Sequence, residues 1–229
     1  MKIYDGLLVN KTNFSAVKKC FDIASGNKSG VVLFVHGTSP CGKTKLLKTT
    51  AKKYEENFSE EAVVTTFKEL VNDFIISLKN KQENFYEKYL KTHLVLIDDF
   101  HCAAGLVSTQ ESLAEIFKKL TENSVNIIIF SEYKTDSYEG LKSLYNEKSF
   151  STVGIKKADY FLRKSFLKMI SEKENIKMSK RVFRHIIFNK KLNISAIKGC
   201  VLKLRLMKDT NTLPLKDKML IEKLREYEE

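Results

Sequence analysis

The sequence predicts an α/β fold in which a parallel sheet is flanked by helices and followed by a small all-helical region. Three observations lead there. The apolar, β-rich run Gly30-Val31-Val32-Leu33-Phe34-Val35 opens onto Gly37-Thr38-Ser39-Pro40-Cys41-Gly42-Lys43-Thr44, the G-x-x-x-x-G-K-[ST] pattern of a phosphate-binding loop. A second apolar β-branched run, Leu94-Val95-Leu96-Ile97, ends in the acidic pair Asp98-Asp99. Strand-like and helix-like segments alternate up to about residue 155, and only helical patterns follow.

Taken in order, helical spacing over Phe14–Ser25 precedes the first core strand, whose unbroken apolar character is that of a parallel strand buried on both faces. Helical patterns then cover Lys43–Phe58, Thr66–Leu78 and Asn84–Leu90 before the strand that ends at Asp98. A helix over Thr109–Glu122 leads to a third apolar run, Val125-Asn126-Ile127-Ile128-Ile129-Phe130, and a further helix is expected over Asp136–Leu144. Four helices, Ala158–Lys173, Ser179–Asn189, Ile194–Met207 and Leu215–Glu226, make a small lid. The expected domains are residues 1–155, an α/β nucleotide-binding domain, and residues 156–229, the helical lid.

The loop carries the chemistry. Its glycines let backbone N–H groups close around phosphate oxygens, Lys43 neutralises charge on the β- and γ-phosphates, and Thr44 offers a hydroxyl to Mg²⁺. The helix that follows points its positive end at the ligand. A chance eight-residue match is the competing explanation, and the strand before the loop and helix after it argue against that. Asp98-Asp99 at a strand's carboxyl end reads as a Walker B pair. Asp98 is the expected partner of Thr44 in the Mg²⁺ shell, and Asp99 with Lys43 the expected catalytic pair, with Asp99 orienting the attacking water. A solvated acidic turn is the alternative. Ser131, at the tip of the third run, is read either as a γ-phosphate sensor or as a strand-terminating residue.

At 229 residues and 43% hydrophobic content, the chain suffices for one α/β domain plus a small appendage. No apolar segment approaches the roughly 20 residues that span a bilayer, and the amino terminus lacks a signal peptide's hydrophobic stretch, so a cytoplasmic protein with no membrane partner is expected. Cys20, Cys41, Cys102 and Cys200 have no metal-ligand spacing and read as reduced thiols, with Cys41 of chemical interest because it lies in the loop. Charge is uneven. Residues 156–208 hold sixteen Lys/Arg against three Asp/Glu, while the remainder balances at twenty-four against twenty-five. That segment is either a face for nucleic acid, through phosphate neutralisation and counterion release, or a lysine-rich solvated surface.

The stretch from Phe67-Lys68-Glu69-Leu70 through Phe85-Tyr86-Glu87-Lys88-Tyr89, then Leu96-Ile97-Asp98-Asp99-Phe100, His101-Cys102-Ala103-Ala104-Gly105 and Ser108-Thr109-Gln110-Glu111, resembles the bacterial replication initiator DnaA family. The resemblance covers residues 5–135 well and the lid more faintly. It implies an AAA+ fold, an ATP/ADP site with Mg²⁺, and a role in initiating chromosomal replication or regulating it. It also makes Leu8-Val9-Asn10-Lys11-Thr12-Asn13 similar to the family's segment beside the adenine, which adds Val9 and Asn10 to the expected nucleotide-binding residues alongside 37–44 and Lys45. The region matching Asn72–Lys91 implies filament assembly and contact with single-stranded DNA, so the expected partners are DNA, bound non-specifically or as a single strand, initiator or replisome proteins, and further copies of the chain in a nucleotide-dependent assembly. For Phe67, Leu70, Phe74 and Leu78 the helical spacing favours core packing.

Departures from the family pattern matter equally. All five arginines lie at or after Arg163. The segment matching Leu141–Phe150, where the family presents an arginine finger to a neighbour, offers only Lys142 and Lys148, and lysine lacks the planar fork. The lid's sensor arginine matches Ser195, with Lys198 three residues on as its substitute. Weak or partner-dependent hydrolysis is therefore expected. The chain also stops where the initiator's helix-turn-helix domain is expected, an extent similar to that of the regulator Hda. The alternatives are a non-catalytic, nucleotide-dependent interaction module and a DnaC-like helicase loader.

Overall fold

The computed structural model describes residues 2–38, 40–80, 84–189, 191–210 and 217–224, which fall into two compact units. One comprises residues 4–7 and 13–156, the other residues 2–3, 8–12 and 157 onward. Near the amino terminus β1 (Lys2–Tyr4) and β2 (Leu7–Val9) pair through Asp5 and Gly6, both at positive φ (45° and 74°), the combination that a type I′ hairpin turn requires.

The larger unit is built on a parallel sheet of β3 (Val32–His36), β4 (Val63–Thr66), β5 (Leu94–Asp98), β6 (Asn126–Ser131) and β7 (Phe150–Gly154), in the spatial order β4-β5-β6-β3-β7. The three apolar runs of the sequence are the three central strands, in which every residue but His36 is buried. The two edge strands escape sequence reading for a physical reason. Val63-Val64-Thr65-Thr66 and Phe150-Ser151-Thr152-Val153-Gly154 are only partly buried, so neither carries an apolar run. Because all pairings are parallel, His36, Asp98 and Ser131 end on one edge of the sheet, and β3 stands where the strand order reverses, the place at which open α/β sheets bind ligands.

Helices α1 (Phe14–Ala24), α2 (Lys43–Phe58), α3 (Phe67–Asn80), α4 (Asn84–Leu90) and α5 (Val107–Glu122) connect and cover the strands. The start of α3 is a capping box: Thr66 N–H donates to Glu69 Oε2 at 2.8 Å and Glu69 N–H to Thr66 Oγ1 at 3.3 Å. The helix expected over Asp136–Leu144 does not form as one piece. Two short 3₁₀ turns, Thr135–Ser137 and Glu139–Leu141, lead into a single turn α6 (Lys142–Tyr145). Two side chains, one of them far away in sequence, compete for its backbone. Gln110 Oε1 accepts from Gly140 N–H at 2.9 Å, and Tyr145 Oη donates to the carbonyls of Thr135 and Tyr138, each at 2.7 Å. Gly140 sits so close to α5 that a Cβ would lie 2.5 Å from Val107 O.

In the smaller unit α7 (Tyr160–Lys173), α8 (Lys180–Phe188) and α9 (Ile194–Asp209) each start on a side-chain cap: Asp159 accepts from Leu162 N–H, Ser179 from Val182 N–H and Asn193 from Ala196 N–H. With α10 (Asp217–Leu224) they enclose a core around Leu167, Val182, Ile186, Ile197, Val201 and Leu224, all under 2% exposed. The remainder of the helix expected over Leu215–Glu226 lies outside the described residues. Arg163, buried to 9% exposure, turns inward and donates through Nη2 to the carbonyls of Ile186 and Asn189, closing the end of α8. Arg163→Leu should destabilise this unit by about 2 kcal/mol, because two terminal carbonyls lose their charged donor; a thermal melt of the variant checks this.

Candidate functional site

The turn from β3 into α2 holds the glycine-rich pattern. Gly37 N–H donates to Ser131 O at 3.1 Å, tying the start of the loop to the tip of β6. A Cβ at Gly37 would meet Cys41 Sγ and Ile155 O at 2.7 Å each, so only glycine fits. At Gly42 the requirement is conformational: φ is 97°, left-handed, with open space where a side chain would stand. This residue caps α2, whose first N–H groups have no intrahelical acceptors and whose dipole is positive at this end. Thr38 is exposed and Pro40 half-buried, while Ser39 lies outside the described residues. Cys41 is half-buried, and burial raises its thiol pKa, so it stays protonated at neutral pH.

Lys43 is buried to 8% exposure and donates from Nζ to Gly37 O at 2.7 Å, holding its ammonium within the loop. The Thr44 hydroxyl donates to Asp98 Oδ2 at 2.9 Å, and Asp98 Oδ1 accepts from Asp99 N–H at 2.9 Å. Residues 54 positions apart in sequence thus present a hydroxyl and a carboxylate to one point, an oxygen donor set suited to a hard divalent cation. Asp99 departs from its neighbour. Its backbone is left-handed (φ 53°, ψ 31°), which ends β5, caps the 3₁₀ turn Phe100–Ala103 and leaves its side chain 60% exposed. The two consecutive carboxylates therefore have different surroundings, one buried against Thr44 and the other facing solvent, 3.9 Å from His101 Nδ1.

Several of the remaining sequence-predicted residues have protein contacts of their own. Lys45 is exposed and lies 3.8 Å from Asp5 Oδ2, a carboxylate it shares with Lys52. Ser131 is fully buried; its hydroxyl makes a short bond with Tyr138 Oη and accepts from Tyr133 N–H at 3.0 Å. Val9, Asn10 and Lys198 belong to the smaller unit. Val9 is buried, Lys198 is exposed, and Asn10 folds into an Asx turn on Thr12 and donates from Nδ2 to Asp159 Oδ1 at 2.9 Å. Lys142 and Lys148 are exposed.

Two residues beside the loop escaped sequence reading. His36 ends β3 just before Gly37, and burial, aided by Lys134, lowers its pKa against the opposing pull of Asp136, so it is neutral at pH 7. Tyr138, fully buried, has its hydroxyl pKa pushed up to about 12 by burial and backs the tip of β6 through Ser131. A tyrosine inside a segment that reads as a helix gives no such signal.

A five-stranded parallel sheet in this order, with a phosphate loop leaving the strand at the reversal point and a Thr44–Asp98 contact reaching the strand next but one, defines the AAA+ class of P-loop folds. Within that class, the family model described as the bacterial DnaA ATPase domain matches residues 2–154, and the chain belongs to this family. The chromosomal replication initiator protein DnaA of Aliarcobacter butzleri is 27% identical over 99% of the chain and 53% of its own length. That of Lachnoclostridium phytofermentans is 30% identical over 75% of the chain and 39% of its own length. The chain thus spans about half the length, or less, of these curated relatives. Among solved structures, domain III of the Thermotoga maritima replication initiation protein DnaA superposes with a TM-score of 0.85 at 24% identity, covering 98% of this chain and 96% of that one. At that identity the likeness speaks for the fold.

Proposed function

We propose that this chain binds ATP with Mg²⁺ and acts, as a member of the DnaA family, in initiating chromosomal replication or regulating it, with ATP hydrolysis that is slow or needs a partner. The observation carrying this reading is the convergence of Lys43, Thr44 and Asp98 beneath the amino terminus of α2. In it, the loop N–H groups and the Lys43 ammonium hold the triphosphate, and Thr44 with Asp98 holds Mg²⁺. The bound cation supplies charge neutralisation on the phosphates. The exposed carboxylate of Asp99 orients a water and accepts its proton. Slow turnover follows from the chain's arginine distribution: with none before Arg163, residues 1–162 contribute only lysines as cations, which place a point charge where an arginine finger would contribute about 10³ to 10⁵ in rate.

DNA, replication proteins and further copies of the chain are the proposed partners. The whole relatives' name, chromosomal replication initiator, and the +12 net charge support this. Steady-state ATP hydrolysis over a protein concentration series, with affinity measured on the same samples, tests the reading. Specific turnover that rises with concentration marks subunits completing one another's sites; tight binding without turnover marks a binding switch; absence of ATP binding overturns the proposal. Asp99→Asn should leave ATP affinity nearly unchanged and lower kcat by about 10² to 10⁴, the usual worth of a general base.

A further inference from the structure

Of the apolar side chains exposed on the smaller unit among the described residues, three are aromatic and form one cluster. Tyr160 lies with its ring centroid 5.6 Å from Phe188 at an interplanar angle of 30°, and 5.5 Å from Phe161 at 80°. They are 40%, 65% and 67% exposed, in that order. Their helices bury other residues: α7 packs through Leu162, Arg163, Leu167 and Ile170, and α8 through Val182, Ile186 and Ile187. The three rings are therefore not core side chains that missed the core. They also hold a fixed arrangement, because Arg163 in the first turn of α7 donates to carbonyls on both sides of Phe188 and locks the end of α8 to the start of α7.

Cations continue from the rings along both helices. On α7, Lys164 and Lys168 follow Tyr160 at four and eight residues, and the Lys164 ammonium stands 5.9 Å from the Tyr160 ring centroid. On α8, Arg184 and Arg181 precede Phe188 at four and seven residues, all three exposed. The start of α7 lies beside the end of α8, so each stripe leads away from the ring cluster along its own helix, over about 10 to 12 Å at 1.5 Å per residue. Among the described residues, none of these four cations is in an ion pair. The segment from residue 156 to 208 carries sixteen basic against three acidic residues, and among the described residues Glu174 is already engaged by Arg205.

We infer that the Tyr160–Phe161–Phe188 cluster with its flanking Lys164, Lys168, Arg181 and Arg184 is a binding surface for single-stranded nucleic acid. The inference rests on the proposed DNA-directed role and adds to it a contact surface in the smaller unit, separate from the Asn72–Lys91 region for which the family resemblance implies single-strand contact. Ring faces stack on bases whatever their sequence, and unpaired cations beside them neutralise the backbone. A single strand fits better than a duplex, because duplex bases have their faces covered by their neighbours and are open to stacking on side chains only when splayed out. The surplus of unpaired positive charge argues for phosphates over an apolar protein partner, which would leave these cations without a counter-charge.

The test is fluorescence anisotropy of a labelled oligothymidylate of about 16 nucleotides with the whole chain, titrated between about 50 and 200 mM salt. Phe161→Ala with Phe188→Ala should weaken binding roughly tenfold to a hundredfold with an unchanged salt slope, since stacking releases no counterions. Arg181→Gln with Arg184→Gln should flatten the slope of log affinity against log salt by about 1.4, the value for two phosphate contacts on a single strand. Tyrosine at both Phe positions should keep near-native affinity, which separates a stacking role from a folding defect. Unchanged affinity in the alanine pair, or duplex bound as tightly as the single strand, overturns the assignment and leaves the DNA-directed role standing. If the native chain binds no single strand, both fall, while its ATP affinity reports on the nucleotide site independently.

Discussion

Lys43→Ala should lower ATP affinity about 10²- to 10⁴-fold, the loss expected when two charge-assisted hydrogen bonds of about 1.5 to 3 kcal/mol each disappear. Lys43 is buried to 8% exposure, and Nζ already has one acceptor, Gly37 O, at 2.7 Å. That single bond fixes the ammonium inside the loop while leaving two of its three protons for phosphate oxygens. Little side-chain ordering then remains to be done on binding, so the interaction enters affinity almost undiluted. Removing the side chain also opens a gap and strips Gly37 O of its donor. Lys43→Met should therefore be made in parallel, since it fills the gap with an apolar stem and deletes only the ammonium with its hydrogen bonds. A fluorescent ATP analogue titrated against both variants gives the answer. Equal losses show that the ammonium carries the effect. Preserved affinity in both would remove the nucleotide site from this loop.

What could be read from the sequence is what local chemistry determines. The phosphate loop, the three central strands and the helices α7, α8 and α9 depend on residues a few positions apart, and the structure has them within about two residues of where the pattern places them. Distant partners decide the rest. The helix expected over Asp136–Leu144 gave way because Gln110, thirty residues from Gly140, takes a backbone N–H that such a helix would use. Asp98 and Asp99 look equivalent on paper, and only the left-handed backbone at Asp99 separates a buried partner of Thr44 from an exposed carboxylate. Lys45 reads as part of the loop, yet Asp5, forty residues earlier, stands beside it. The ring cluster was invisible for the same reason, since Tyr160 and Phe188 meet only once two helices are docked.

Phe100→Ala should lower stability by about 3 to 5 kcal/mol, a large part of the roughly 5 to 15 kcal/mol that holds a typical domain. Phe100 is fully buried and follows the acidic pair directly. Its ring centroid lies 5.3 Å from Tyr138, 5.5 Å from Phe67, 6.1 Å from Phe34 and 6.4 Å from Phe117. The contacts to Phe67 and Phe34 are near-perpendicular, the favourable edge-to-face geometry. These neighbours come from β3, α3, α5 and the segment after β6, so a cavity here would loosen four elements at once. At about 2 to 4 °C per kcal/mol for a chain of this size, the melting temperature should fall by roughly 6 to 20 °C. Phe188→Ala supplies the contrast, because its ring is 65% exposed and its removal should cost under about 1 kcal/mol. Calorimetry on the two variants distinguishes them. The expected order follows from burial, which makes Phe100 the support on which Asp98 and Asp99 are held and leaves Phe188 free for contact with a partner. A drop for Phe100→Ala no larger than that for Phe188→Ala would mean that the acidic pair is positioned by the sheet alone.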